Sequence, residues 1–179
     1  MNSILKIPII GVMGSGSEEH PERSARLGKW IANQGYHLLT GAGAGVMKAV
    51  SESFCKTRHR RGLSIGIIPG QIINDQYNPL SGYPNPYVEL PVYTHLPLSG
   101  SEGTSQLSRN HINILSPHVI VALPGGLGTK SEIMLAIKYG KPVFGFFEDA
   151  STVFGENIPM ECIDNFEMLT SRIKEILEK

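Results

Sequence analysis

Three clusters of small residues, one arginine and one glutamate carry the chemistry this sequence could do. They are Gly14-Ser15-Gly16-Ser17, Gly41-Ala42-Gly43-Ala44-Gly45, Pro124-Gly125-Gly126-Leu127-Gly128-Thr129, Arg109 and Glu132. Each cluster follows an apolar run of strand length and precedes a stretch suited to a helix. A helix that starts there leaves its first N–H groups without backbone partners, and glycine lets a guest approach them closely. The chemistry of such a turn is recognition of a phosphate or another oxyanion. None of the three has the Walker A pattern, and the second lacks the full glycine spacing of a dinucleotide fingerprint. Together they point to a phosphate-bearing ligand, with Gly14, Ser15, Gly41, Gly43, Gly125, Gly126, Gly128 and Thr129 as its binding residues.

Glu132 admits two readings. Thr-x-x-Glu is the signature of a capping box, in which Thr129 and Glu132 cover each other's backbone N–H groups. Alternatively the carboxylate is free to face the ligand. Arg109, in Ser108-Arg109-Asn110-His111, is either a solvated helix residue or, facing the cleft, a fork of donors for an oxyanion. His111 falls on the apolar side of its predicted helix and reads as a core or interface residue, and His95 has no partner at metal-ligand spacing. Cys55 and Cys162 make neither a disulfide framework nor a zinc pattern, so no metal site is expected. The basic run KTRHRR at 56–61 reads first as a solvated helix end that complements the helix dipole.

The elements that must position these residues follow from the apolar pattern. Strands are predicted over 7–13, 36–39, 63–68, 87–94, 119–123, 142–147 and 160–164. Helices are predicted from Ser17 to the stop at Gln34-Gly35, and over 46–55, 104–116, 129–139 and 166–178. Residues 71–86 read as one long loop, 96–102 as a second loop and 150–159 as irregular, while Pro91 marks an edge strand. The alternation predicts an α/β protein: one domain over 1–179, a doubly wound, Rossmann-like parallel sheet with helices on both faces. Ligands of such sheets sit at the carboxyl ends of the strands, where strand order reverses.

At 179 residues, with 41% hydrophobic and 18% charged residues, the composition suits a globular protein with a substantial core. A formal net charge of zero gives no global attraction to nucleic acid. No apolar run approaches the roughly 20 residues that cross a bilayer. The amino terminus lacks the features of a signal peptide, so a cytoplasmic location is the expectation.

Pro124-Gly125-Gly126-Leu127-Gly128-Thr129 with Glu132, and Arg109 fifteen positions before Pro124, resembles the LOG-like Rossmann superfamily. That superfamily includes cytokinin-activating nucleoside-monophosphate phosphoribohydrolases, once labelled lysine decarboxylases, and the molybdenum cofactor carrier proteins. The motifs fall in family order along nearly the whole chain: 11–17, 41–46, 66–69, 108–110 and 124–142. The hydrolases carry Arg-Lys where this chain has Arg109-Asn110, and Glu-Glu where it has Ser131-Glu132. The stretches 94–100, 108–111 and 128–132 look closer to the carrier branch.

The resemblance to the carriers implies a protein that binds and protects the molybdenum cofactor (a molybdopterin). It also implies a homo-oligomer, dimer or tetramer, and a molybdoenzyme as acceptor. Under it, Arg109, Asn110, Pro124, Gly125, Gly126, Gly128, Thr129 and Glu132 hold the ligand together with the first two turns. The alternative is a phosphoribohydrolase that cleaves the N-glycosidic bond of a nucleoside 5′-monophosphate, with Arg109 and Glu132 catalytic. A third is a nucleotide-sensing module.

Overall fold

A computed structural model describes residues 7–178. Seven parallel strands form the central sheet, in the order β6-β3-β2-β1-β7-β8-β9. In chain order the elements are β1 (Ile9–Met13), α1 (Pro21–Asn33), β2 (His37–Thr40), α2 (Val46–Lys56), β3 (Ser64–Ile68), β4 (Gly70–Ile73), β5 (Gln76–Pro79), β6 (Leu90–Tyr93), α3 (Asn110–Leu115), β7 (Val119–Ala122), α4 (Leu127–Lys138), β8 (Val143–Gly145), α5 (Ala150–Phe154), β9 (Glu161–Cys162) and α6 (Phe166–Leu177). β4 and β5 form a separate antiparallel pair.

The central strands are apolar on both faces because both are covered. Ile10, Val12, Val119 and Val121 pack with Leu27, Ile31, Val50, Phe54, Leu169 and Ile173 of α1, α2 and α6. Met13, Leu39, Ile65, Ile67 and Ile120 pack the other way, against Ile114, Leu135 and Ala136 of α3 and α4. Alternate residues of one strand therefore serve opposite layers, the period of two that a pleated strand imposes. This is the doubly wound α/β sheet expected from the alternation. β1 pairs with β2 on one side and with β7 on the other, so strand order reverses between β1 and β7. The carboxyl ends of those two strands lead into the first and third glycine clusters.

Four local expectations are corrected. Helix α1 begins at Pro21, not Ser17: His20 takes a left-handed conformation and Pro21 opens the first turn, where its missing N–H costs nothing. The stretch 71–86 is not one long loop. It contains the β4–β5 hairpin, turned by Asn74 and Asp75, both at positive φ. The helix predicted over 104–116 is cut to α3, because the Ser105 and Ser108 hydroxyls accept the N–H groups of Leu107 and Asn110. Such bonds compete with helix formation. Within 150–159, α5 forms a short helix closed by a left-handed Gly155. Strand β6 lies at the sheet edge, as Pro91 required. No described helix is long and apolar enough to cross a membrane.

Candidate functional site

Ser15 stitches the loops at the reversal point together. Its N–H donates to Pro124 O at 3.2 Å, and its carbonyl accepts from Val46 N–H at 2.9 Å. The first, second and third glycine clusters are thereby fastened at one rim. Beside this knot lies a cavity of about 360 Å³, lined by Gly14, Ser15, Gly16 and Ser17, by Arg109 and Asn110, by Gly126, Gly128, Thr129 and Glu132, and by Met47, Tyr83, Ser99 and Gly100. Pro124 and Gly125 line a neighbouring cavity that shares Ser15, Ser17 and Gly126 with the first. Gly41 and Gly43 line neither; Gly41 backs Arg109, and a Cβ there would stand 2.6 Å from Arg109 Nη1.

The three turns are not equivalent. In the first, the Ser15 hydroxyl accepts the N–H groups of Ser17 at 3.2 Å and Glu18 at 2.9 Å. In the second, Ala42 N–H donates to Thr40 Oγ1 and Gly43 N–H to Met47 Sδ. The chain's own side chains thus occupy much of what those turns offer. The third is different: Gly126 stands at the N-cap of α4 and no side chain caps that helix. Gly126, Gly128 and Thr129 of its first turn line the cavity, at the positive end of the helix dipole.

Thr129 and Glu132 do not form the capping box that their spacing allows. Thr129 Oγ1 is buried without a partner among the described residues, and Glu132 accepts from Asn113 Nδ2 at 3.0 Å. Glu132 turns to the cavity instead. Arg109 is no solvated arginine either: it is 3% exposed, and its Nε and Nη1 have no partner among the described residues. Buried donors nearly always have an acceptor, so this buried guanidinium, in a residue that lines the cavity, is a group whose donors the described residues do not satisfy. Its Cζ lies 5.6 Å from the Tyr83 ring centroid.

Burial pushes the Glu132 carboxyl from its ordinary 4.5 up to about 7, against the opposing pull of the Arg109 charge and the Asn113 hydrogen bond. The folded protein therefore holds this proton more tightly than the unfolded chain does. The stability it contributes is full below about 4.5 and is lost as pH rises toward 7. Glu132→Gln keeps the acceptor for Asn113 and removes the titration. The variant is expected to outlast wild type increasingly from about pH 5 to 7, by on the order of 3 kcal/mol at the upper end. Thermal midpoints across that range check this; parallel curves for the two proteins would contradict it.

Sequence reasoning missed Tyr83, Met47, Ser99 and Gly100 of the cavity lining, and Asn113, which holds Glu132. Asn113 had a signal, since it lies four residues after Arg109 and one helical turn brings both to the same side. Tyr83 had none, because its place depends on how the segment after the hairpin returns to the second glycine turn. His111 bridges Tyr139 OH at 2.6 Å and Ser105 O at 2.8 Å and does not line the cavity. His95 is exposed. In the basic run, Arg60 pairs with Glu89 at 2.6 Å and Lys56 with Glu52 at 2.7 Å. Among the described residues no three His, Cys, Asp or Glu side chains gather as a metal site.

Residues 7–171 match the profile of the SLOG cluster4 family. The chain belongs to that family. This places it in the LOG-like superfamily that the PGGxGTxxE motif resembled. The fold is similar to that of the molybdenum cofactor binding protein from the phototrophic bacterium Rippkaea orientalis, with a TM-score of 0.72 and 32% identity over 97% of this chain and 99% of the other. The Moco carrier protein from Chlamydomonas reinhardtii is similar at a TM-score of 0.70 and 28% identity, over 97% and 99% of the two chains. An uncharacterized protein of Archaeoglobus fulgidus is 29% identical over 143 residues, 78% of this chain and 80% of that one.

Proposed function

We infer that this member of the SLOG cluster4 family is a carrier that holds the molybdenum cofactor as cargo in the cleft between β1 and β7. The observation that carries the reading is the buried Arg109, two of whose nitrogens lack a partner among the described residues, beside the cavity that the uncapped start of α4 also lines. The cofactor's phosphate monoester fits that pair: Gly126, Gly128 and Thr129 supply backbone donors, and Arg109 supplies a charged fork. Gly14, Ser15 and Asn110 border the rest of the guest. The similarity to proteins named for binding or carrying this cofactor supports the same reading.

Purification under anaerobic conditions from cells that make the cofactor is expected to yield molybdenum and a phosphorylated pterin in near-equal amounts per chain. A nucleotide in their place would overturn the reading. A homo-oligomer belongs to the proposal, supported by the exposed apolar side chains Leu115 of α3 and Leu127 and Met134 of α4. The mass of the purified protein tests that part, and a single chain in solution would remove it.

One observation favours a second reading. Glu132 shares the cavity with Arg109 and holds its proton to about pH 7, which suits a general acid or base. That is the arrangement of a nucleoside 5′-monophosphate phosphoribohydrolase. Against it, the position before Glu132 is Ser131, whose single hydroxyl donor is shared between Leu127 O at 2.9 Å and Gly100 O at 3.1 Å. Release of free base from a panel of nucleoside 5′-monophosphates, abolished in Glu132→Gln, would decide for hydrolysis.

A further inference from the structure

Strand β6 closes one side of the sheet and has a neighbour, β3, on one flank only. The β4–β5 hairpin springs from the carboxyl end of β3, and Tyr77 of β5 meets Tyr93 of β6 edge to face, with ring centroids 5.8 Å apart. Ile72 pairs directly with Tyr77, so both stand on one face of the hairpin. Six of the twelve large apolar side chains exposed among the described residues fall in these three short strands: Ile72, Ile73, Tyr77, Leu90, Val92 and Tyr93. At about half exposure each, they present on the order of 500 Å² of apolar surface. An interface of standard size needs that share, since each partner covers about 800 Å² and somewhat over half of it is apolar. Pro91 sits inside β6 and has no N–H to give an added strand, so contact here is made by side chains rather than by backbone pairing.

The charges around this edge are sorted by end. The segment between α2 and β3 is tied to the amino end of β6, where Arg60 pairs with Glu89 at 2.6 Å. Arg58, His59 and Arg61 of that segment are exposed and make no ion pair among the described residues. The other end carries no cation: between Arg61 and Arg109 the sequence has no lysine or arginine, and the exposed Asp75 stands in the hairpin turn. We propose that this edge is a contact between two copies of the chain, related by a two-fold axis beside β6. Such an axis runs the two β6 strands antiparallel, so the Arg58–Arg61 end of each copy meets the Asp75 end of the other. Apolar centre then faces apolar centre, with cation against acid at both rims. The helices α3 and α4 cover a face of the sheet while β6 lies at its edge, so this contact is separate from that of Leu115, Leu127 and Met134. It does not depend on what the cavity holds.

Sedimentation of the full chain tests it. Wild type is expected to run as an even-numbered oligomer, and Val92→Lys and, separately, Ile72→Lys to halve its mass. Both side chains are exposed, so the variants are expected to melt close to wild type, and circular dichroism separates a lost contact from a lost fold. Arg58→Glu with Arg61→Glu is expected to raise the dissociation constant of the contact on the order of tenfold, and adding Asp75→Lys to restore most of it. That rescue is the signature of a second copy, because both altered ends belong to the same sequence. A single chain for wild type, or an unchanged mass in both lysine variants, would overturn the proposal. A mass halved by Met134→Lys but not by Val92→Lys would assign the assembly to α3–α4 alone and overturn the edge contact. Absence of rescue by Asp75→Lys would overturn the antiparallel two-fold.

Discussion

Gly126→Asp is expected to abolish ligand binding while the protein melts close to wild type. Gly126 stands at the N-cap of α4 with an extended backbone, φ −95° and ψ −151°, and a Cβ built on it meets nothing within 4 Å. The fold has room for the side chain. The ligand does not, because the new carboxylate sits at the start of the helix that would receive the phosphate. One like-charge contact near 4 Å at a protein surface costs on the order of 4 kcal/mol, about a thousandfold in affinity. Gly125, one position earlier, behaves in the opposite way. A Cβ there would stand 2.1 Å from Thr129 Oγ1 and 2.8 Å from Ser15 N. Gly125→Ala must therefore push apart the turn and the Ser15 knot, at a cost of roughly 1–3 kcal/mol and several degrees of melting temperature. Melting curves of both variants beside titrations with a phosphorylated probe check the contrast. A Gly126→Asp protein that binds normally would remove α4 from the site.

Arg109→Met is expected to raise stability and lose binding together. The guanidinium is buried with two nitrogens unpartnered, and a Glu132 that is largely protonated below pH 7 gives it only partial compensation. Replacing a whole buried ion pair by apolar side chains is often stabilising by about 1–4 kcal/mol. Below about pH 7 Glu132 escapes the penalty of a lone buried charge by keeping its proton, so the gain is expected under acidic conditions. The same change removes charged hydrogen bonds to the anion worth roughly 1.5–3 kcal/mol each, a hundredfold or more for a bidentate grip. Stability and binding thus pull in opposite directions at this residue, as they do where a site is held ready for a charged guest. A melting temperature that falls in Arg109→Met would mean that the arginine supports the fold rather than the ligand.

Much of this architecture was legible because buried parallel strands write themselves as continuous apolar runs. Residues 119–123 and 63–68 could be nothing else, and they delivered the sheet with its order reversal beside the glycine turns. The hairpin was not legible. Gln76, Tyr77, Asn78 and Pro79 are exposed and carry no alternation, and the turn depends on Asn74 and Asp75 accepting left-handed backbones. The end of the predicted helix at 104–109 was lost to two serine hydroxyls, a contest that pattern alone does not decide.

The same limit applied within the site. Thr129 and Glu132 at capping-box spacing have two local minima, and the choice was made by Asn113, nineteen residues before Glu132. Likewise, nothing near Arg109 in sequence says that it is buried. Its neighbours in space are Gly41 and Tyr83, brought there by the second turn and the segment that folds back over it.

Ser15 joins a carbonyl on one flank to an amide on the other, and so makes the rim a single jaw rather than three independent fingers. Of the residue types, proline alone would cut this tie on the β7 side, since it lacks the N–H that Ser15 donates to Pro124 O. Under the carrier reading, the two ends of a long guest would rest on one connected frame rather than on separate loops.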